Sequence, residues 1–319
     1  MNNLYLLSLQ SCLNPNGPDR SFCQDPIEIH LRNCVFSRAS SFYGCGGVIF
    51  FDTYFANISI IESTFFSCHV CGDLHGGAIY FQCPGGQAYF NKVCASNCSA
   101  SGSAHFCYTY TANEYNNAYH LCTISQCSTD LFGNFPVFCY CGKQSIKSTN
   151  VSKCSVIQES GFRLYQCPFL EILHSTFYSN RALSNMCIYI TGTQSPMSLK
   201  YSNVIDNDSP AVNSVIFVGS GTLTIQYSIF QKNKDLLFYG VEQITVLDSV
   251  ISHSSQIGVI VQSKNVSFKT TASLNIIHYN TNWCRVAQTP TKQNTYNEVI
   301  YKSKISFKLQ AFLVISLIN

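Results

Sequence analysis

Apolar and small polar residues recur along this chain at a spacing far longer than a helical turn. Anchors at Phe36, Phe65, Cys94, Ile124, Val151, Phe177, Val204, Phe230 and Ile251 lie 21–30 residues apart. Five residues before them stand Leu31, Ile60, Tyr89, Tyr119, Ile146, Ile172, Leu199, Ile225 and Val246, all apolar. Two before stand Cys34, Ser63, Lys92, Cys122, Thr149, Ser175, Ser202, Ser228 and Ser249, small and weakly polar except for Lys92. Three after stand Ala39, Cys68, Asn97, Cys127, Cys154, Asn180, Asn207, Asn233 and Ser254. Three columns agreeing in one register identify an internal repeat. Each unit continues into a second short segment, such as Gly76-Gly77-Ala78-Ile79-Tyr80-Phe81 or Met186-Cys187-Ile188-Tyr189-Ile190. Such segments are β-branched and aromatic and bounded by Gly, Asn and Ser, the signature of strands.

A short strand with one apolar face needs a neighbour on each side. One solenoid turn per unit supplies it, because each strand then pairs in parallel with its counterpart ~4.8 Å away. The pattern therefore predicts an all-β, single-stranded, right-handed parallel β-helix of nine to ten turns. Its expected organisation is an N-terminal cap or fragment start over 1–25, repeats over 26–262, and an irregular last turn, cap or tail over 263–319. Asn is expected at corners, where it tolerates left-handed backbone. A leucine-rich-repeat solenoid is the alternative, since its period overlaps and Leu170 to Asn180 resembles one unit.

Gly76-Gly77-Ala78-Ile79 and Gly46-Gly47-Val48-Ile49, with Phe177-Tyr178-Ser179-Asn180 and Phe230-Gln231-Lys232-Asn233, resemble the GGA(I/L/V) and FxxN repeats of polymorphic membrane proteins. The resemblance covers the repeat region. It implies a surface adhesin with a β-helical passenger and, more broadly, a member of the pectate-lyase-like superfamily of β-helices.

Composition narrows the function classes. Nineteen Lys+Arg are nearly balanced by sixteen Asp+Glu, and charged residues are only 11%. A broad basic nucleic-acid-binding face is therefore excluded, and carboxylates for catalysis are few. Eighteen Cys and five N-glycosylation sequons point to an extracellular or cell-surface setting. Asn57 and Asn265 are the expected glycan acceptors, whereas Asn207, in the Asn column, is expected to stay unmodified. The first residues lack a basic region, and the run Leu4 to Leu9 is shorter than the ~7–15 apolar residues of a signal peptide. Ala311 to Ile318 is likewise short of the ~20 residues of a membrane span, so membrane attachment stays open and a closing strand is the preferred reading.

Stacked cysteines one turn apart can approach disulfide distance. The register pairs Cys127 with Cys154 and Cys107 with Cys139, and brings Cys68 close to Cys98. Free thiols filling the columns as small apolar groups are the equal alternative. A zinc site from Cys68-x2-Cys71 and Cys94-x3-Cys98 is disfavoured, because both pairs sit beside strand columns. No cofactor is expected.

Many β-helices cleave polysaccharides, and glycoside hydrolysis generally needs two carboxyls across a groove. Asp206 and Asp208 form the best local acidic cluster, but no second acid is expected to stack on them. The expected function is therefore a non-catalytic surface rod that presents loops for adhesion or recognition of a host or matrix glycan or protein. A polysaccharide lyase or hydrolase on the same fold is the alternative. The candidate binding loops are Gln82 to Gln87, Thr109 to Asn117 and Gly142 to Lys147, with Tyr108, Tyr110, Tyr115 and Tyr119 as possible contact residues or as packing.

Overall fold

The units wind as the columns require. The computed structural model describes Leu7–Ser8 and residues 27–276, apart from 42–43, 129–132, 185, 193–195, 210–213, 235, 242, 255–260 and 273. Among the described residues there is no α-helix. Three long sheets, of nine, ten and ten strands, run side by side, and within each the strands follow chain order. Every pairing is parallel, as between Ile79–Gln82 and Cys107–Tyr110. The chain is thus a parallel β-helix in which one turn contributes one strand to each sheet. Turn three, for example, gives Ile79–Gln82 to the first sheet, Gln87–Asn91 to the second and Cys94–Ser96 to the third. The second and third sheets run on through Val261–Lys264 and Ser267–Phe268. Most of 1–25 and of 263–319 lies outside the described residues.

Along most strands of the first two sheets buried and less buried positions alternate, because successive side chains point to opposite faces; Ser214–Val218 and Leu236–Gly240 break the pattern with runs of buried residues. The inward positions make one continuous core along the coil. Ile60, Phe90, Tyr119, Ile146, Ile172, Leu199, Ile225 and Val246 stack in register, and all are essentially inaccessible to solvent. Rings in the column pack face to face, with Phe90 and Tyr119 centroids 4.8 Å apart.

In the third turn the expected register was one residue out. Ala95, not Cys94, pairs with Phe65 and Ile124. Shifting that anchor replaces Tyr89, Lys92 and Asn97 by Phe90, Val93 and Cys98 in the three columns. All three substitutes are buried, whereas Tyr89 and Asn97 are exposed. The Lys that broke the small-polar column therefore belongs to the neighbouring corner.

Corners are made by left-handed residues, but not by the Asn column. Between the second and third sheets Glu62, Lys92, Leu121, Ser148, His174, Tyr201 and Tyr227 all have φ of 50–54°, except His174 at 48°. Beyond the third sheet Ser67, Asn97, Gln126, Lys153, Ser179, Asp206 and Lys232 are left-handed as well, with φ of 51–56°. Asn180, Asn207 and Asn233 sit one residue later and turn inward, with at most 4% exposure. A serine ladder supports the first corner. Ser202 Oγ accepts from the Ser175 amide at 3.2 Å and donates to the Lys200 carbonyl at 2.9 Å, and Ser175 and Ser228 repeat the pattern.

The Gly-Gly motif has a steric cause. Gly46 and Gly76 take φ of 71° and 70°. A Cβ on Gly47 would strike the Gly77 carbonyl, and one on Gly77 would strike that of His105. The pair is needed where a left-handed residue precedes a close backbone approach between turns.

Candidate functional site

Outward positions of the first sheet align as directly as the inward ones. Register sets Phe50, Tyr80, Tyr108, Phe138, Arg163, Tyr189, Phe217 and Tyr239 one above another over eight successive turns. Ring centroids are 5.4 Å apart for Phe50–Tyr80, 4.8 Å for Tyr80–Tyr108 and 4.9 Å for Tyr189–Phe217, all stacked. Tyr108 meets Phe138 edge-on at 5.2 Å. Arg163 bridges the one turn without a ring, its guanidinium carbon 5.4 Å from the Phe138 centroid and 5.3 Å from that of Tyr189. Cation–π attraction thus keeps the column continuous. Beside it run Tyr110, Tyr140 and Tyr165, spaced 4.9 and 5.2 Å.

These rings are partly covered by one another, and Tyr239 is exposed. Polar groups fringe them. The Tyr80 hydroxyl donates to Gln82 Oε1 at 2.7 Å, and the Gln82 amide donates to Asp52 Oδ1 at 3.1 Å. Burial raises the Tyr80 hydroxyl well above its ordinary range and pushes Tyr108 up to about 12, so both remain donors. Arg163 is held by the buried carboxylate of Glu159 at 3.7 Å and by Gln158 Oε1 at 3.3 Å. Such a surface can stack on the apolar face of a flat ring and hydrogen-bond to its rim.

The tyrosines singled out in the sequence divide. Tyr108 and Tyr110 belong to this face, and Tyr115 lies in the connection before Asn116–His120. Tyr119 does not: it is wholly buried, and its hydroxyl lies 3.8 Å from the Cys107 sulfur and 3.7 Å from that of Cys139. The expected long loops are short. Gln82 to Gln87 reduces to a four-residue link between strands, and Gly142 to Lys147 is mostly the strand Lys143–Lys147.

Cys107 and Cys139 are not register partners: Cys107 lies beside Val137, and Cys139 beside Thr109. A shift of two residues keeps a strand's buried face, so the pattern of faces could not distinguish the two alignments. Cys127 and Cys154 do stack, and all four are buried free thiols. Cys94 is disulfide-bonded, which removes it from any four-thiolate set. Among the described residues no group of three or more His, Cys, Asp or Glu is placed to hold a metal ion.

Asp206 is a corner residue at φ 56°. Asp208 lies beside Arg181 and 2.6 Å from Lys234 Nζ, and this carboxylate raises the Lys234 pKa. The acidic cluster thus stacks against cations in the turns on either side.

Asn57 lines a shallow depression on the second sheet with Glu28, His30, Gln87 and Tyr89. Its amide donates to Glu28 at 2.7 Å. Asn265 is exposed and donates to Asp248 at 3.0 Å. Asn207 is sealed in the coil.

Comparison of the chain with protein-family models, with curated proteins and with solved structures finds no match. The aromatic face was the feature that sequence reasoning missed. Its signal was present: the residue after each inward Ile49, Ile79, Cys107 and Val137 is Phe50, Tyr80, Tyr108 and Phe138.

Proposed function

We propose that this chain is a non-catalytic extracellular or surface rod that recognises a glycan or a protein through the aromatic face of its first sheet. At the level of family, the GGA(I/L/V) and FxxN motifs favour kinship with polymorphic membrane proteins and the pectate-lyase-like superfamily. The observation that carries the reading is the unbroken aromatic column from Phe50 to Tyr239 with Arg163 inserted. Aromatic rings concentrated on one exposed face are the usual mark of a binding surface. A glycan is the preferred ligand class, because the face combines flat rings with neutral hydroxyl and amide donors and carries little charge.

The test is binding of the folded chain to an array of matrix polysaccharides, with Tyr80→Ser/Tyr108→Ser as the comparison. Retention that falls at least tenfold in the double variant supports the proposal, while equal retention refutes the assignment of the face. Release of reducing or unsaturated sugar ends would instead favour the lyase or hydrolase reading, and Asp206→Ala/Asp208→Ala should then abolish it.

A further inference from the structure

Corrected for the third turn, the column that turns inward after the third sheet reads Cys68, Cys98, Cys127, Cys154, Asn180, Asn207 and Asn233. Its two halves make the same bonds with different atoms. Asn207 Oδ1 accepts the amide of Asn180, its counterpart one turn back, at 3.1 Å. Asn207 Nδ2 donates to the Phe177 carbonyl at 3.0 Å. Cys98 does likewise: its sulfur accepts the Cys68 amide, and its thiol donates to the Phe65 carbonyl at 3.6 Å.

The side chains also touch along the column. Asn180 Nδ2 lies 3.1 Å from Asn207 Oδ1, and Asn207 Nδ2 lies 3.1 Å from Asn233 Oδ1. In the other half the thiol of Cys68 contacts that of Cys98, Cys98 contacts Cys127, and Cys127 contacts Cys154. Four sulfurs in a row, each against the next, are free thiols and wholly screened from solvent. Thiol hydrogen bonds are weak, so this half lacks the amide ladder that ties the later turns together. Adjacent parallel strands ~4.8 Å apart lie within the Cα separation a disulfide spans. Each Cys follows a left-handed corner residue and lies outside the strand ladder, which frees its side chain to turn toward its neighbour.

We propose that the cysteine column is an oxidation site that closes as two staples, Cys68–Cys98 and Cys127–Cys154, linking turn to turn where the asparagine ladder stops. Of the pairings between neighbours, only this one uses all four sulfurs; a central Cys98–Cys127 bond would strand both ends. The oxidant is a small-molecule disulfide of the glutathione type. Each staple forms by two thiol–disulfide exchanges: one S–S bond forms in the protein, the S–S bond of one oxidant breaks, and two small thiols leave with the two protons. Because the column is sealed in the folded coil, exchange takes place while the chain folds.

The full chain is unfolded in reductant, then refolded with oxidised and reduced glutathione or with reduced glutathione alone. It is then denatured, alkylated and mapped by peptide mass spectrometry without reduction. The oxidised sample should show Cys68 linked to Cys98 and Cys127 linked to Cys154, while Cys187, whose sulfur lies against Asn180 and Asn207 in the asparagine half of the column, is alkylated in both samples. Cys127→Ser should return Cys154 to the alkylated pool and leave Cys68–Cys98 intact. Full alkylation of the four cysteines after oxidative refolding to a β-rich chain, or a Cys98–Cys127 link, would overturn the proposal.

Discussion

Replacing Asn207 by Ala removes one rung of the buried amide ladder and tests whether the column holds the turns together. The side chain makes four hydrogen bonds of 3.0–3.1 Å, to the Asn180 amide, Asn180 Nδ2, the Phe177 carbonyl and Asn233 Oδ1. Two partners keep another bond: Asn180 Nδ2 also donates to the Val151 carbonyl, and Asn233 Oδ1 also accepts the Asn207 amide. The Asn180 N–H and one lone pair of the Phe177 carbonyl lose their partner in a site without solvent. At about 1–3 kcal/mol for each buried group left unsatisfied, the expected loss is about 4 kcal/mol, a large share of the ~5–15 kcal/mol that stabilises a typical domain. Asn97→Ala is the control: Asn97 is exposed, its side chain donates to Ser67 Oγ at 3.0 Å, and it stands at φ 55°, so the change should cost about 1–2 kcal/mol, the strain of Ala in left-handed backbone. Urea unfolding followed by far-ultraviolet circular dichroism measures both. A repeat array weakened in the middle can also unfold in two steps, and a second transition in Asn207→Ala would be the same effect seen locally. A single transition within 1 kcal/mol of the Asn97→Ala value would show that the ladder does not stabilise the coil.

Expressed through a secretory pathway, the chain should carry glycan at Asn57 and Asn265 and none at Asn207, whose amide is sealed between turns; site-resolved glycopeptide mass spectrometry decides this. Ser179→Gly should leave stability unchanged or raise it by up to about 1 kcal/mol, because Ser179 holds φ 53°, while Ser179→Val should lower it by about 1–3 kcal/mol; urea midpoints read both. Burial lowers the His75 pKa below its ordinary 6.5, opposed by Asp73, and Ser103 Oγ sits 2.7 Å from Nδ1. The unfolded chain therefore takes up this proton first, so the contribution is present above 6.5 and lost as pH falls toward the folded value. The fall in urea midpoint between pH 7.5 and pH 5.5 should accordingly be smaller in His75→Gln than in the parent.

The inward columns were legible because each has a narrow chemistry. Ile172, Leu199 and Ile225 must fill the same space, and Ser175, Ser202 and Ser228 must bond the same backbone groups. Register was legible only to within that chemistry. Cys94 and Ala95 are both small and buried, so nothing at that position excluded the one-residue error. The left-handed corners were not legible at all. Lys92, Leu121, Gln126 and Tyr227 have no special liking for that backbone, and they adopt it because the amide there bonds to the next turn, as Leu121 does to the Lys147 carbonyl at 3.0 Å. The aromatic face escaped for another reason. Strand segments such as Ile79-Tyr80-Phe81 are apolar throughout, which hides the alternation that separates core from surface.

The outward faces of the first two sheets differ in a way that packing alone does not demand. One outward column of the second sheet carries Ser59, Tyr89, Ala118, Ser145, Glu171, Ser198, Thr224 and Thr245. That sheet and its corner are laced by ion pairs, Lys92–Glu62 at 3.0 Å and Lys147–Glu171 at 3.0 Å. The Lys92 ammonium holds the Glu62 carboxyl below its ordinary value. The first sheet has the same strand spacing and the same alternation, yet in register it presents seven rings and one Arg. Apolar rings facing water gain nothing from the coil that Ser or Thr would not also provide, beyond contact with one another. Exposed rings stand elsewhere too, as His174, Tyr201 and Tyr227 do in a stack at the corner. The first sheet, however, aligns seven rings in one column, a contiguous apolar strip of the kind a binding partner covers. Their one-turn spacing would offer an extended ligand the same ring-sized step at each turn, so affinity should grow with ligand length until the eight-turn column is covered.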